Sequence, residues 1–260
     1  MPELPDVEAF RRVALSCGRG RCVTETEVRD AGVLRGVTAR RLRTELKGRR
    51  LGAAWRHGKW LFVPTDGAFT LVCHFGMTGS LRCGGPDDPV APHDRVLLTL
   101  DDGRELRYRD QRKLGSVRLA DEETVDRMVD GLGPDALSVD RAEFGRRLTA
   151  RRGAVKGALM DQSVVAGLGN LLSDEVLWRA HVGPRVPVRE LSTTELRRLH
   201  TAMGRVLGTS VRAGCVPPRH SWLTGHRDAG GDPVCPRCGR HLRSRRVAGR
   251  RTVWCPKCQT

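Results

Sequence analysis

Cys235-Pro236-Arg237-Cys238, then sixteen residues, then Cys255-Pro256-Lys257-Cys258 is the stretch that decides how this chain ends. Thiolates two residues apart, used twice, close four tetrahedral ligands around one Zn²⁺. With sulfur at every position no coordination site is left open, so Cys235, Cys238, Cys255 and Cys258 are expected to hold a structural rather than a catalytic metal. Between the knuckles, Leu242 to Arg246 and Thr252 to Trp254 read as two strands turned through Ala248-Gly249, which makes a zinc-ribbon hairpin. From Cys235 to Thr260 there are eight basic residues and no aspartate or glutamate. A knuckle so charged is suited to phosphate.

The same sign runs through the whole chain. Its 260 residues carry 46 Lys+Arg against 30 Asp+Glu, a formal net charge of +16. That excess predicts an anionic partner reached by long-range steering, with nucleic acid the first choice. No apolar run reaches the roughly 18–20 residues of a membrane span. The N-terminus is acidic rather than basic-then-apolar, unlike a secretory signal. The chain is therefore expected to be soluble, intracellular and without a membrane partner. Nine cysteines, an odd number, argue against a disulfide framework, and Cys17, Cys22, Cys73, Cys83 and Cys215 read as small core residues.

Upstream of the ribbon the apolar period is helical. Ser192-Thr193-Thr194-Glu195 is a capping box for a long amphipathic helix, with Leu196, Leu199, Met203, Val206 and Val211 as its stripe and Gly214 as its C-cap. Gly167-Leu168-Gly169 breaks the chain before a helix from Asn170 to Ala180, a shorter helix is expected from Ala154 to Met160, and Asp140 caps one ending near Thr149. Before Gly131 the pattern alternates. Segments at 48–54, 60–63, 69–74, 95–100, 105–108 and 117–120, with turns at Asp66-Gly67 and Asp102-Gly103, predict an antiparallel sandwich or barrel-like sheet over about residues 20–120. The expected class is α+β. An N-terminal helix and β-sandwich domain spans 1–130, a helical domain 135–230 and the zinc finger 231–260.

The first eight residues, Met1-Pro2-Glu3-Leu4-Pro5-Asp6-Val7-Glu8, carry the chemistry. A Met-Pro start usually loses its methionine, leaving Pro2 as a secondary amine beside the Glu3 carboxylate. An α-amino group has an unperturbed pKa of roughly 7.7–8.0, so a useful fraction is neutral at physiological pH. Such a nucleophile attacks carbonyl carbons, and from a secondary amine the adduct is an iminium that stays cationic and draws in electrons.

Taken together these segments resemble the Fpg/Nei family, the formamidopyrimidine-DNA glycosylases and endonuclease VIII-like enzymes. Five stretches match in order: Met1 to Glu8; His57-Gly58-Lys59-Trp60; His74 to Leu81; Leu159-Met160-Asp161-Gln162 through Asn170 and Glu175-Val176-Leu177 as a helix–two-turn–helix; and the ribbon with Gly249-Arg250. The resemblance implies a bifunctional DNA glycosylase and abasic-site lyase that flips a damaged base out of duplex DNA, and a monomer is expected. By that likeness Pro2 attacks C1′, Glu3 moves protons as a general acid, Lys59 assists β-elimination, and Arg250 grips the flanking phosphates and assists δ-elimination; Arg251 is the alternative for the last role. DNA contacts are implied for His93, Arg112, Arg151 or Arg152, Lys156 and Asn170. The N–H groups at the helix start beside Asn170 are expected to take a phosphate. Met77, Arg112 and Leu114 are implied to fill the gap left by the flipped nucleotide.

Two features depart from the pattern. Leu114 stands where formamidopyrimidine glycosylases usually carry phenylalanine, and leucine wedges between bases but stacks less. The loop from Gly214 to Val234 looks shorter than their lesion-capping loop. Both leave open an endonuclease VIII-like preference for oxidised pyrimidines or abasic sites. A non-catalytic DNA-binding paralogue is the reading from a different class; Pro2, Glu3 and Lys59, which pure binding does not need, speak against it.

Overall fold

The computed structural model describes residues 1–227 and 232–260. They form two compact units, one of Met1–Pro2 and Asp6–Gly131, the other of Glu3–Pro5 and Leu132–Thr260.

The first unit takes most of helix α1 (Leu4–Gly18), then β1 (Val23–Val28), α2 (Ala39–Leu46), β2 (Trp55–His57), β3 (Trp60–Pro64), β4 (Thr70–His74), β5 (Gly79–Gly84), β6 (Asp94–Leu100), β7 (Glu105–Asp110), β8 (Ser116–Ala120) and α3 (Glu122–Asp130). The strands make two antiparallel four-stranded sheets, ordered β1-β6-β7-β5 and β2-β3-β4-β8. Alternation along each strand sends Leu61, Val63, Leu71 and Cys73 of one sheet and Leu81, Val96, Leu98 and Leu106 of the other into a single core. The opposite face of the second sheet buries Phe62 and Val72 against Val125 of α3. This is the sandwich expected from the alternating segments. Two of its details differ from that reading. Residues 48–54 make only isolated bridges, Cys22 to Arg50 and Leu51 to Thr65, with Gly52 N donating to Pro64 O at 2.7 Å between them. Cys17 and Cys83, read as core thiols, form a disulfide joining α1 to β5.

The second unit holds α4 (Arg141–Thr149), α5 (Val155–Met160), α6 (Asn170–Ala180), α7 (Thr193–Ala213) and the hairpin β9 (Arg243–Val247) and β10 (Arg250–Trp254). Phe144, Leu159, Leu172, Val176, Leu199, Met203 and Val206 interlock in its core. Ser192 and Glu195 make both bonds of the capping box, and Gly214 ends α7 in the left-handed region at φ 72°. Ala248 and Gly249 both take positive φ, 48° and 72°, as the two central residues of a type I′ hairpin require.

Candidate active site and nucleic-acid interface

In the second unit the functional geometry begins with Glu3, which is fully buried. Its carboxylate accepts hydrogen bonds from Gly169 N (2.8 Å), Leu171 N (2.8 Å) and Leu172 N (3.2 Å). These are N–H groups that the start of α6 cannot satisfy internally, and the helix dipole adds to their pull on an anion. The loop before α6 is shaped for this close approach. A Cβ on Gly169 would fall 2.3 Å from Glu3 Cδ, and one on Gly167, at φ 120°, 2.4 Å from Leu4 Cδ1. Gln162 braces the loop, donating to Met160 O and Leu168 O and accepting from Gly167 N. Leu4 N donates to Gly167 O at 3.1 Å, so the residue after Glu3 is pinned as well. The protein's own carboxylate thus takes three of the N–H groups at this helix start. Asn170 is the first helical residue and Gly169 the cap. Its side chain stays half-exposed, with a buried Oδ1 that has no partner among the described residues.

Lys156 departs from the sequence reading. It was expected to offer charge to DNA, but it is fully buried, paired with Asp174 at 2.6 Å. Its Nζ also donates to Thr252 Oγ1 (2.7 Å) and Arg251 O (3.3 Å). Asp174 further accepts from Arg227 and from Val253 N. Burial drives Lys156 down and Asp174 up from their ordinary pKa values, each opposed by its partner's charge. The cluster therefore clamps β10 onto α5 and α6. The sequence signal for it was an aspartate inside the apolar run of α6, which had no reading.

Arg250 is exposed at the hairpin tip, whereas the Arg251 guanidinium donates to Arg227 O at 2.9 Å. Both arginines are exposed. Arg151 and Arg152 are both exposed, and Arg151 pairs with Asp161 at 3.2 Å and bonds Ser163. The loop 214–234 lies partly outside the described residues, which omit 228–231.

The four ribbon sulfurs lie within 4.8 Å of one another, with Cys235–Cys258 at 4.0 Å and Cys238–Cys255 at 3.5 Å. Tetrahedral thiolates about 2.3 Å from a metal stand about 3.8 Å apart. Trp178 Nε1 and Cys258 N donate to two of the sulfurs, at 3.4 Å each. The cluster fits one structural zinc.

In the first unit, Lys59 sits in the two-residue turn between β2 and β3, where Gly58 takes φ 56° and His57 pairs Trp60. Arg56 fixes that turn. Its guanidinium donates to Gly58 O (2.9 Å) and to Glu8 of α1 (3.3 Å). Burial works against the Glu8 charge, but hydrogen bonds and charge from Arg11 and Arg56 hold its carboxyl below the usual range. Neither Glu8 nor Arg56 carried a role in the sequence reading. His74, packed on Trp60, is pushed down to about 4 by burial, then by Lys59 and Arg118, and is neutral at physiological pH.

The residues expected to intercalate are brought together by Asp110. Its carboxylate accepts from Thr78 Oγ1 (2.7 Å), Arg112 N (3.2 Å) and Gly115 N (2.8 Å). Thr78 follows Met77, and Thr78 Oγ1 accepts from Arg112 N at 3.1 Å. A Cβ on Gly76 would strike Leu114 C at 2.4 Å, so the Met77 turn lies directly on the Arg112–Leu114 loop. Arg112 is exposed, and Leu114 is 51% exposed, unusual for so large an apolar side chain. His93, half-buried, joins the same loop: its carbonyl accepts from Asp110 N at 3.0 Å and its Nδ1 from Arg95 at 3.3 Å. Asp110 stood in the matched stretch without a role.

A buried glutamate beside Pro2, held by a helix–two-turn–helix and accompanied by a four-cysteine ribbon, defines a class of zinc-ribbon helix–two-turn–helix proteins. Family models agree segment by segment. The formamidopyrimidine-DNA glycosylase N-terminal domain matches residues 1–117, the corresponding H2TH domain 132–217, and the zinc finger found in FPG and IleRS 232–260. The formamidopyrimidine-DNA glycosylase of Stenotrophomonas maltophilia is 37% identical over 276 residues, covering 100% of both chains. That of Chloroflexus aurantiacus is 33% identical over 277 residues, covering 100% of this chain and 98% of its own. Among solved structures, Lactococcus lactis Fpg in complex with abasic-site DNA superposes with TM-score 0.88 at 29% identity, covering 99% of each chain. The chain belongs to the formamidopyrimidine-DNA glycosylase family.

Proposed function

We propose that the chain is a DNA glycosylase of base excision repair with abasic-site lyase activity, working on duplex DNA through Pro2. The observation that carries this is Glu3: a buried carboxylate, next in sequence to the amine, fixed by three backbone N–H groups. Positioned groups of this kind are what general acid–base steps need. The Pro2 nitrogen attacks C1′ of the damaged nucleotide, the base departs with its bonding electrons, and a cationic iminium forms. That iminium acidifies the C2′ proton, whose removal expels the 3′ phosphate. Glu3 protonates the opening sugar oxygen and carries protons afterwards. Lys59 assists elimination, and Arg250 with Arg151 or Arg152 holds phosphate; Met77, Arg112 and Leu114 enter the stack, with His93 and Asn170 at the backbone. The reading includes an intracellular, DNA-associated location and a monomer, and it treats residues 231–260 as a third module beside 1–130 and 135–230. Among the described residues no helix is long and apolar enough to cross a membrane.

Solved relatives include complexes with DNA holding an abasic site, Fapy-dG and carbocyclic 8-oxo-G, which supports oxidised purines as the substrate class. The exposed leucine at 114 favours one alternative, a broader preference that extends to oxidised pyrimidines. Borohydride trapping on abasic duplex DNA tests the chemistry. A covalent adduct is expected with the wild-type protein and none with Pro2→Gly bearing a blocked amine; an adduct that survives loss of the Pro2 nitrogen overturns the mechanism. A panel of duplexes with defined lesions then ranks the substrates.

A further inference from the structure

At the end of α6 opposite Glu3, about 16 Å away at 1.5 Å per residue, a cavity of about 340 Å³ is walled by arginine. Arg197 and Arg205 rise from α7 around Thr201, three residues spaced i, i+4, i+8 on one helix face, with Arg198 and Ala202 beside them. Thr201 and Ala202 are short, which is why a hollow exists there. The facing wall is Arg179, in the last turn of α6, and Arg237, between the first two ribbon cysteines. These last two are held in place. Arg237 lies 4.2 Å over the Trp178 ring and donates to Trp178 O at 3.2 Å. Arg179 lies 4.7 Å over Trp222 and pairs with Glu175 at 2.8 Å. Among the described residues no acidic side chain lines the cavity. Glu195 meets Arg198 only at 3.8 Å.

Guanidinium groups stacked on indole faces lose little side-chain freedom on binding, and the N–H groups they do not spend on the protein suit phosphate oxygens. The arginines of α7 span about 12 Å of helix axis. Along one strand of a duplex a phosphate recurs about every 3.4 Å of axis, so about three or four lie along that length, whereas alternate side chains of an extended acidic peptide turn away and leave about two carboxylates facing it.

We infer that this arginine cavity is a second phosphate-backbone site, which takes an undamaged duplex segment while the lesion-bearing duplex occupies the primary site. The inference rests on duplex DNA being the partner, but on none of the lesion chemistry. One molecule then bridges two segments and passes between them during search.

The test is a sandwich assay. Protein is loaded on an immobilised duplex carrying a stable abasic analogue, and a fluorescent undamaged duplex is then added across a salt series. Wild type is expected to capture the second duplex. Arg197→Ala/Arg205→Ala is expected to load normally and nick lesion DNA normally, yet to lose second-duplex capture, with its salt slope reduced by about 1.8 at 0.9 per contact. Failure to load the first duplex refutes DNA as the partner, and is read separately. Loading without capture by wild type, or equal capture by the variant, overturns the second site. Release of the second duplex by heparin but not by polyglutamate is expected; polyglutamate bound at this cavity in preference to duplex overturns the inference in favour of an acidic protein partner.

Discussion

Replacing Gly169 with alanine tests the link between α6 and the reacting centre. Backbone strain is not at issue, because Gly169 has φ −123°; the effect is one of space. The added Cβ would meet Glu3 Cδ at 2.3 Å and Oε1 at 2.6 Å, whereas carbon atoms rest at about 3.5 Å or more. The carboxylate must therefore retreat by about 1 Å. Its bonds from Gly169 N (2.8 Å) and Leu172 N (3.2 Å) both end on Oε2, and both are lengthened or lost. Hydrogen bonds to a charged group are worth about 1.5–3 kcal/mol each, so the stability loss is about 3–6 kcal/mol. A 1 Å displacement of a catalytic group costs about 100-fold in rate. Single-turnover base release and strand nicking, measured alongside thermal unfolding, give both readouts. Gly204→Ala is the control: that glycine lies on α7 with nothing within 4 Å of the new Cβ, and alanine should add up to about 1 kcal/mol. Wild-type rates in a normally stable Gly169→Ala protein would refute the assignment of this helix end as the support that positions Glu3.

Lys156→Met leaves Asp174 buried with one cation fewer, and loss of one partner in such a cluster costs about 3–5 kcal/mol. DNA affinity should then weaken without a change in salt slope; a slope reduced by about 0.9 would mean that Lys156 touches phosphate after all. His74 gives a pH signature. Its folded pKa, about 4, lies below the ordinary 6.5, so the unfolded chain binds the proton first. The stability His74 contributes is present above pH 6.5, falls as pH drops towards 4 and is fully lost below it, at most about 3 kcal/mol; His74→Gln should flatten unfolding curves in that window, and an unchanged slope counts against a buried neutral ring. Cys17 and Cys83 close a loop with a sequence separation of 66, so Cys83→Ser should cost about 4 kcal/mol in oxidising buffer and little under dithiothreitol. Thiol alkylation before and after reduction should differ by two groups. Chelation of the ribbon metal should melt the hairpin that carries Arg250 and abolish DNA binding, with zinc restoring both; binding that persists after metal loss removes the ribbon from the interface.

Periodicity and spacing determined much of this protein in the sequence itself. The two-residue cysteine spacing fixes its own chelate geometry, the capping box at Ser192 starts α7, and alternation from Trp60 to Ala120 makes a sandwich, because each of these is written in neighbouring residues. Collinear stretches likewise mark Pro2, Glu3, Lys59, Met77, Arg112 and Arg250 as candidates. What stayed hidden depends on residues far apart in the chain. The N–H groups of Gly169, Leu171 and Leu172 found their partner only in Glu3, 166 positions before Gly169. Lys156 looked like surface charge until Asp174, Arg227 and Thr252 closed around it. Met77 and Leu114 became neighbours only through Asp110, and Cys17 met Cys83 only through the packing of α1 on β5. A local pattern fixes which groups a segment can satisfy itself; only tertiary structure decides which distant partner satisfies the rest, because burial forbids leaving a charge or a donor unpaired.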